Sequence, residues 1–173
     1  MHCFFLWYNI FMRQTTLCYL IQKEHDRIVR VCLAMKKRGF GEGWWNGAGG
    51  KVHTDDGETI EAGAVRETKE ELGVVVGALT PVARICFEFP GHADWDQMMH
   101  VFLSEAWKGE PLESEEMRPR WHRVSQLPVH AMWPTDPFWV PRVFEGKKIE
   151  ARFALGNDFT ILSHDVHIVS ELS

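Results

Sequence analysis

Three glutamates lie close together in residues 66–71, whose sequence is RETKEE. On an α-helix, positions three and four residues apart share one face, so Glu67, Glu70 and Glu71 would present their carboxylates side by side. Carboxylates at that spacing repel one another, and a hard divalent cation such as Mg²⁺ or Mn²⁺ relieves the repulsion and can bridge phosphate oxygens. A solvated, charged helix face is the alternative explanation of such a run. The glycine-rich loop before it favours the metal site.

That glycine-rich loop covers residues 39–52, GFGEGWWNGAGGKV. So many glycines predict a backbone that turns tightly or lies close to a ligand. A P-loop is excluded, because Trp45 stands where its first glycine belongs and Val52 where its Ser or Thr belongs. We expect Gly49, Gly50 and Lys51 of this loop to contact the substrate.

The elements that position these residues follow from periodicity. A helix is predicted over Glu58–Leu72, since small or apolar residues recur every four positions and Gly73 follows as a C-cap. A second helix is predicted within Trp133–Phe144. Apolar, β-branched runs predict strands at Thr15–Gln22, Ile28–Ala34, Val74–Leu79, Val82–Phe89, Met98–Ala106, Trp121–Val124, Ile149–Leu155 and Phe159–Val169. The mixture predicts an α+β or α/β domain with a central mixed sheet.

Composition limits the possible classes of protein. The 173 residues are 45% hydrophobic and 25% charged, which predicts one globular domain and excludes a disordered, collagenous, coiled-coil or membrane-bundle protein. A net charge of −5 argues against a protein that coats nucleic acid. We expect no nucleic-acid polymer, no membrane and a monomer. Aromatic residues are unusual in kind, with eight Trp and eleven Phe against two Tyr.

The cysteines and the N-terminus suggest where the protein works. Its four cysteines form no C-x-x-C pair, so we expect free thiols in a reducing cytoplasm. Residues 1–11, MHCFFLWYNIF, are apolar, but they lack a basic region and are too short to span a bilayer. Our hypothesis is that they are a spurious or disordered start and that residues 12–173 form the single domain.

Residues 50–74 resemble a known motif. They read GKVHTDDGETIEAGAVRETKEELGV and are similar to the Nudix box, G-x5-E-x7-R-E-U-x-E-E-x-G-U with U aliphatic. The matching positions after the first glycine are Glu58, Arg66, Glu67, Glu70, Glu71, Gly73 and Val74. Two features depart from the pattern. Seven residues rather than five separate Gly50 from Glu58, and Thr68 replaces the first aliphatic residue, which should slightly loosen the core.

The resemblance implies a Nudix α/β/α sandwich and a metal-dependent hydrolase of phosphoanhydrides. By that resemblance, Glu67, Glu70, Glu71 and the Gly49 carbonyl would bind Mg²⁺ or Mn²⁺. Glu58 and Arg66 would pair and hold the loop against the helix. A carboxylate such as Glu70 or Glu71 would help to deprotonate water, and the sequence leaves open which of them does so.

Four further segments resemble the mammalian-type oxidised purine nucleoside triphosphatases within this family. They are MKKRGFGEGWWNGAGGKV (35–52), ICFEFPG (85–91), PLESEEMRPRW (111–121) and MWPTDPFWVP (132–141), and the similarity runs from about residue 15 to the end of the chain. That resemblance implies roles for individual residues. Asn46 would hydrogen-bond the base, Phe40 would flank it, Trp133 would stack on it, and Phe87 and Trp139 would form walls. Thr16 and Lys36 would contact the nucleotide, and Glu116 would add a metal ligand.

The resemblance also marks one departure. Relatives of this type usually carry two consecutive acids after Trp-Pro, and here the pair is Thr135-Asp136. Asp136 can still contact the purine edge as a carboxylate, or as a donor if burial keeps it protonated. The expected substrate is 8-oxo-dGTP or a related oxidised purine nucleoside triphosphate such as 2-hydroxy-dATP. The alternatives are another nucleoside diphosphate derivative, such as a dinucleoside polyphosphate or capped RNA, and a non-catalytic nucleotide sensor.

Overall fold

The computed structural model describes residues 12–39 and 41–173. Within them the chain forms β1 (Arg13–Glu24), β2 (Arg27–Lys36), β3 (Trp45–Asn46), α1 (Ile60–Leu72), β4 (Val75–Val76), β5 (Thr80–Glu88), β6 (Gln97–Ser104), β7 (Trp107–Lys108), β8 (Met117–Arg123), α2 (Val140–Phe144), β9 (Lys148–Leu155) and β10 (Ile161–Val169). Residues 1–11 and Phe40 lie outside the described residues. The hypothesis about the N-terminal segment and the role expected of Phe40 therefore stay predictions.

Most of the strands form one mixed sheet. Their order is β10-β9-β5-β6-β1-β2-β3, and β8 pairs with β2. The β1–β6 and β5–β9 pairs are parallel, whereas the other pairs in this sheet are antiparallel. A separate two-stranded sheet joins β4 to β7. The prediction of a central mixed sheet is confirmed.

The two faces of this sheet are covered by different helices. Side chains along a strand point alternately to opposite faces. In β1, Leu17, Tyr19 and Ile21 pack into one core cluster together with residues of α2. Cys18 and Leu20, which alternate with them, pack into a second cluster with Ala64 and Leu72 of α1. The α/β/α arrangement implied by the Nudix resemblance is therefore present.

Helix α1 carries the predicted glutamates and has defined ends. It begins at Ile60 rather than at Glu58, because Thr59 is its N-cap and the Thr59 side chain accepts a hydrogen bond from the Ala62 N–H at 3.2 Å. It ends at Leu72, and Gly73 adopts the left-handed conformation (φ 72°) predicted for a C-cap glycine.

The predicted apolar stripe of α1 faces the sheet. Ala64, Thr68 and Leu72 are buried, and Ile60 packs against the same cluster. Thr68, which replaces an aliphatic residue of the motif, is fully buried, and its hydroxyl donates to the Ala64 carbonyl at 2.7 Å. The hydroxyl therefore has a partner inside the core. The glutamates are held on the remaining sides of the helix, toward the glycine-rich loop and the solvent.

Two predicted strands differ from the structure. Of the predicted strand Val74–Leu79, only the two residues of β4 form a strand. Gly73 turns the chain before them, and after them the Gly77 N–H donates to the Ala106 carbonyl outside the main sheet. The strand predicted to begin at Trp121 begins at Met117, since β8 pairs with β2 along its whole length despite an internal proline.

The predicted second helix and the last strand also differ. Within Trp133–Phe144 the chain forms a 3₁₀ turn at Asp136–Phe138 followed by the five-residue α2, and a proline stands in the first turn of each. The last strand begins at Ile161 rather than at Phe159, because Phe159 has a left-handed backbone (φ 63°) that cannot continue a strand.

The cysteines of the described residues are buried thiols. Cys18, Cys32 and Cys86 form no disulfide. Burial raises the pKa of Cys18 and of Cys32 to about 11 and the pKa of Cys86 to about 12. Such thiols stay protonated at neutral pH and are poor nucleophiles. None of the helices in residues 12–39 and 41–173 has the length and apolar character needed to cross a membrane.

Candidate functional site

Arg66 connects the glycine-rich loop to helix α1. Its Nε and Nη2 donate to both oxygens of Glu58, at 2.8 and 3.0 Å, and Nη2 also donates to the Lys51 carbonyl at 2.8 Å. Its Nη1 contacts Glu67 at 2.7 Å and Glu70 at 3.1 Å. The hydrogen bonds from Arg66 lower the pKa of Glu58 to about 2. The structure thus contains the Glu58–Arg66 pair that the resemblance implied.

Glu71 faces the glycine-rich loop from the other side of α1. Its Oε2 accepts a hydrogen bond from the Gly49 N–H at 3.0 Å, and its Oε1 lies 3.8 Å from Lys36 Nζ. Burial, with smaller contributions from the charges of Glu67 and Glu116, raises the pKa of Glu71 to about 7, although the Gly49 N–H and Lys36 act in the opposite direction. The site is therefore negatively charged, and a bound cation would stabilise the ionised form of Glu71.

The loop lies so close to these carboxylates that a side chain at Gly50 would displace Glu67. A Cβ at Gly50 would lie 2.6 Å from the Glu67 carboxyl carbon. Glu116 approaches from the loop before β8, where Lys36 contacts it at 3.5 Å and Arg38 at 3.1 Å. Hard oxygen donors of this kind suit Mg²⁺ or Mn²⁺ rather than a softer metal. The donor chemistry fits the ion that the resemblance implied.

In the structure, lysine and arginine side chains hold these acids. Arg66 engages Glu67 and Glu70, and Lys36 lies between Glu71 and Glu116. Among residues 12–39 and 41–173, no three His, Cys, Asp or Glu side chains are arranged around a common point as ligands. The cations Lys36 and Arg66 would have to release the acids before a divalent ion could be bound by several of them.

A cavity of about 290 Å³ opens beside Glu71. Ten of the residues predicted to act at the site line it: Thr16, Lys36, Asn46, Gly49, Gly50, Lys51, Glu71, Phe87, Trp133 and Asp136. The glycines and Lys51 come from the loop, Lys36 from the end of β2 and Glu71 from α1, whereas Phe87 comes from β5 and Trp133 and Asp136 from the segment before α2. The cavity therefore has one end suited to phosphates and another suited to a planar apolar group.

The aromatic end is built around Trp133. Its ring meets the ring of Trp44 edge-on at a centroid distance of 4.1 Å and the ring of Phe159 at 5.5 Å. Phe159 also contacts Phe89 at 6.1 Å. The left-handed backbone of Phe159 is uncommon outside glycine, and such conformations concentrate where the surrounding structure requires them. Here it directs the Phe159 ring into the cavity wall.

Asp136 is a buried acid on the cavity wall. It is 3% exposed, and burial raises its pKa to about 8. Its Oδ2 accepts a hydrogen bond from the Trp133 N–H at 3.3 Å. The Trp139 indole N–H is close enough to favour the carboxylate electrostatically, but it forms no hydrogen bond of acceptable geometry. A pKa of about 8 favours the protonated form of Asp136 at neutral pH, and in that form the side chain can donate to a ligand.

Six of the described residues that were predicted to act at the site do not line the cavity: Glu58, Arg66, Glu67, Glu70, Glu116 and Trp139. Trp139 is fully buried in the core and packed against Tyr19, at the N-cap position between the 3₁₀ turn and α2. Glu70 is exposed beside Arg66, and Glu116 is half exposed. Thr16 does line the cavity, and its hydroxyl is buried and has no hydrogen-bond partner among the described residues.

Sequence reasoning missed several residues of the cavity wall. They are Trp44, Phe89, Met99, Met117, Leu155 and Phe159. Trp44 and Phe89 lie inside segments that carried the resemblance, so aromatic residues beside a glycine turn were an available signal. Met99, Met117 and Leu155 belong to three different strands, and no local pattern brings them together. Phe159 had no signal in the sequence, because its contribution depends on the strained turn.

Comparison with known proteins agrees with this architecture. The profile of the NUDIX domain matches residues 12–143. The oxidized purine nucleoside triphosphate hydrolase of Mus musculus is 44% identical over 157 residues, which are 91% of this chain and 96% of the mouse protein. The Danio rerio protein of the same name is 43% identical over 143 residues, 83% and 90% of the two chains. The crystal structure of a MutT protein from Bacillus halodurans superposes with a TM-score of 0.75, at 25% identity over 90% of this chain and 97% of that one.

The α/β/α sandwich and its carboxylate-bearing helix define the class of the protein as a hydrolase. The domain profile and the two animal relatives identify its family. The chain belongs to the Nudix family. The prediction made from residues 50–74 is confirmed.

Proposed function

We propose that this protein is a divalent-cation-dependent hydrolase of oxidised purine nucleoside triphosphates. It adds water to a phosphoanhydride bond of a substrate such as 8-oxo-dGTP and releases the monophosphate and pyrophosphate. One observation carries the proposal: Glu71, from the acidic face of α1, lines the same cavity as an aromatic, hydrogen-bonding pocket. The names of the mouse and zebrafish relatives, which match along most of their length, support the substrate class.

The aromatic end of the cavity would hold the base. Trp133 and Phe159 offer apolar ring faces and edges, and stacking on such rings stabilises a bound base by about 1–3 kcal/mol. Asn46 and the protonated Asp136 offer hydrogen bonds to the edge of the purine. Together they recognise a base through its polar edge, so that a substrate lacking the altered group leaves buried donors without partners.

The charged end would hold the triphosphate. Glu67, Glu70 and Glu71, with Glu116 and the Gly49 carbonyl, are the groups that would hold Mg²⁺ or Mn²⁺. Such an ion supplies neutralisation of the phosphate charge and activation of water. Of the three helix carboxylates, Glu71 lines the cavity, so it is placed to meet the attacking water. Lys36 lines the cavity as well and can contact phosphate oxygens directly.

Thr16 also lines the cavity, and its buried hydroxyl has no hydrogen-bond partner among the described residues. A nucleotide that shifts this part of the wall on binding would supply the hydrogen bond that the protein does not. We further propose that the protein acts on free nucleotides in the cytoplasm as a monomer, and that this activity keeps oxidised purines out of the nucleotide pool.

The test measures pyrophosphate release from 8-oxo-dGTP and from dGTP, with added Mg²⁺ and then with EDTA. We expect kcat/KM to be at least about tenfold higher for 8-oxo-dGTP, since one buried unpaired donor costs about 1–3 kcal/mol, and we expect EDTA to abolish turnover. Glu67→Gln should be nearly inactive. Glu61→Gln is the matched control, because Glu61 lies on the same helix in its exposed first turn.

The other outcomes are equally informative. Equal kcat/KM for dGTP and 8-oxo-dGTP would overturn the sanitising role. Turnover of a dinucleoside polyphosphate or of capped RNA in preference to the triphosphates would assign a different Nudix substrate. Tight binding of 8-oxo-dGTP without turnover at any Mg²⁺ concentration would indicate a nucleotide sensor.

A further inference from the structure

Glu116 reaches the candidate site from a loop that is distant in the sequence from helix α1. This loop spans residues 109–116, between β7 and β8. The ammonium group of Lys36 lies 3.8 Å from Glu71 Oε1 and 3.5 Å from Glu116 Oε2, so the two carboxylates stand on either side of it. The contacts that hold the loop in this place therefore determine whether Glu116 can act together with the acids of α1.

Lys37 holds the loop at three points. Its backbone N–H donates to the Glu116 carbonyl at 2.7 Å. Its Nζ donates to the Ser114 carbonyl at 2.8 Å and to Glu113 Oε1, also at 2.8 Å. Any residue except proline could form the first hydrogen bond, whereas the other two require a long side chain that ends in several donors. The side chain of Lys37 thus adds two contacts to the pairing of the backbone.

The turn within the loop depends on Ser114, the residue whose carbonyl Lys37 contacts. The Ser114 Oγ accepts hydrogen bonds from the Met117 N–H at 3.0 Å and from the Glu116 N–H at 3.3 Å. Arg38 also contacts Glu116, at 3.1 Å, but its side chain is 60% exposed, against 29% for Lys37. Arg38 binds the carboxylate itself, which a metal ion would have to take over. Lys37 is therefore the better anchor of the loop.

We propose that Lys37 is a positioning residue, which holds the 109–116 loop and so keeps the Glu116 carboxylate within reach of a divalent ion bound to the acids of α1. A loop that is already held in place loses less conformational entropy when one of its side chains binds an ion. Lys37 does not line the cavity, so it acts through Glu116 rather than on the nucleotide. This inference rests on the proposed function, in which Glu116 is one of the groups that hold the ion.

The charge of Lys37 and its contacts with the loop should affect cation binding in opposite directions. An ammonium group near the site repels a divalent ion, so the loss of its charge alone would strengthen binding. The loss of the anchor would weaken binding, because Glu116 would be in place less often. The sign of the change therefore separates a positioning residue from a charge that only lies nearby.

The test measures the affinity of the nucleotide-free protein for Mn²⁺ by electron paramagnetic resonance, in wild type and in Lys37→Met. Methionine has a side chain of similar length without the donors. We expect Kd to rise by about threefold to tenfold, as is usual when partly exposed hydrogen bonds and an ion pair are lost. Lys23→Met is the matched control and should leave Kd unchanged, because Lys23 forms an ion pair with Glu105 and neither residue lines the cavity.

A double-mutant cycle shows whether Lys37 acts through Glu116. Glu116→Gln should weaken Mn²⁺ binding by itself, and Lys37→Met added to it should change Kd by less than about twofold. Ser114→Ala disrupts the same turn from within the loop, so it should also weaken binding, and it replaces Lys37→Met in the cycle if that variant folds poorly. The proposal would be overturned by an unchanged or lower Kd in Lys37→Met, by unchanged binding in Glu116→Gln, or by effects of the two substitutions that multiply.

These binding measurements need no turnover, which keeps the inference distinct from the proposed function. If the protein hydrolysed no nucleoside triphosphate but the cycle showed this coupling, the function would be wrong and the positioning role correct. If wild type hydrolysed 8-oxo-dGTP and Lys37→Met kept the wild-type Kd for Mn²⁺, the function would stand and the role of Lys37 would be refuted.

Discussion

The buried acid Asp136 predicts an unusual dependence of stability on pH. The perturbation is Asp136→Asn, which keeps the size and the donor capacity of the protonated acid and removes its titration. In the folded protein, burial raises the pKa of Asp136 from 3.8 to about 8, and the side chain is 3% exposed. In the unfolded chain the same group titrates near its ordinary value.

The sign and size of the effect follow from these two pKa values. Between pH 3.8 and pH 8 the unfolded chain has released the proton and the folded protein still holds it, so raising the pH favours unfolding. Asp136 stabilises the fold fully below pH 3.8, and its contribution is lost as the pH rises toward 8. Each pH unit in this window changes the free energy of unfolding by about 1.4 kcal/mol. From pH 5 to pH 7 the total is about 2.6 kcal/mol.

The assay is urea unfolding followed by tryptophan fluorescence at pH 5, 6 and 7, in wild type and in Asp136→Asn. The stability of the variant relative to wild type should rise by about 2.6 kcal/mol over this range. The pH dependence contributed by other groups cancels in the difference between the two proteins, because both contain those groups. Examples are Glu71, whose pKa is raised to about 7, and His100, whose pKa burial lowers to about 4. A difference that stays constant within about 0.5 kcal/mol from pH 5 to 7 would show that Asp136 is ionised in the folded protein and would refute the burial argument.

Three further predictions concern the phosphate end, the base pocket and the loop. Glu71→Gln should lower kcat by about 100-fold or more, measured as pyrophosphate release, and turnover within about threefold of wild type would exclude an essential role. Thr135→Asp adds a titratable group to the buried wall of the cavity and should change the ratio of kcat/KM for 8-oxo-dGTP and 2-hydroxy-dATP; an unchanged ratio would show that Thr135 does not limit specificity. Gly49→Ala should lower the free energy of unfolding by about 2 kcal/mol or more, since its Cβ would lie 2.0 Å from the Thr16 carbonyl. Gly77→Ala, whose Cβ would meet a carbonyl only at 3.4 Å, should cost less than about 1 kcal/mol, and equal losses would contradict the close-packing argument.

Local patterns accounted for much of the fold. The four-residue spacing of α1 and the alternation along β1 reflect contacts within one element, so they can be read without knowing what lies opposite. Predictions were less accurate where a single residue interrupts a pattern. The left-handed turn at Phe159 shortened the last strand, and the prolines of residues 133–144 divided the expected helix into a 3₁₀ turn and a short α2.

The candidate site also combines features that the local motif predicts with features that it does not predict. The Glu58–Arg66 pair and the place of Glu71 beside the glycine loop follow from a motif of 25 consecutive residues, and the structure contains both. The role expected of Trp139 was drawn from similarity of sequence alone. The structure places that side chain in the core, because the direction of a side chain after a 3₁₀ turn depends on how the turn packs.

The sequence by itself determined the family, the mixed α/β class and the carboxylate helix, since each depends on residues close together along the chain. Only the tertiary structure decided that the Tyr19 hydroxyl donates to the Asn46 amide oxygen, that burial raises the pKa of Asp136, and that Phe159 completes the aromatic wall. These features depend on strand register and on burial, which arise when distant segments pair and exclude water. The sequence alone gives neither the register of the strands nor the burial of a side chain.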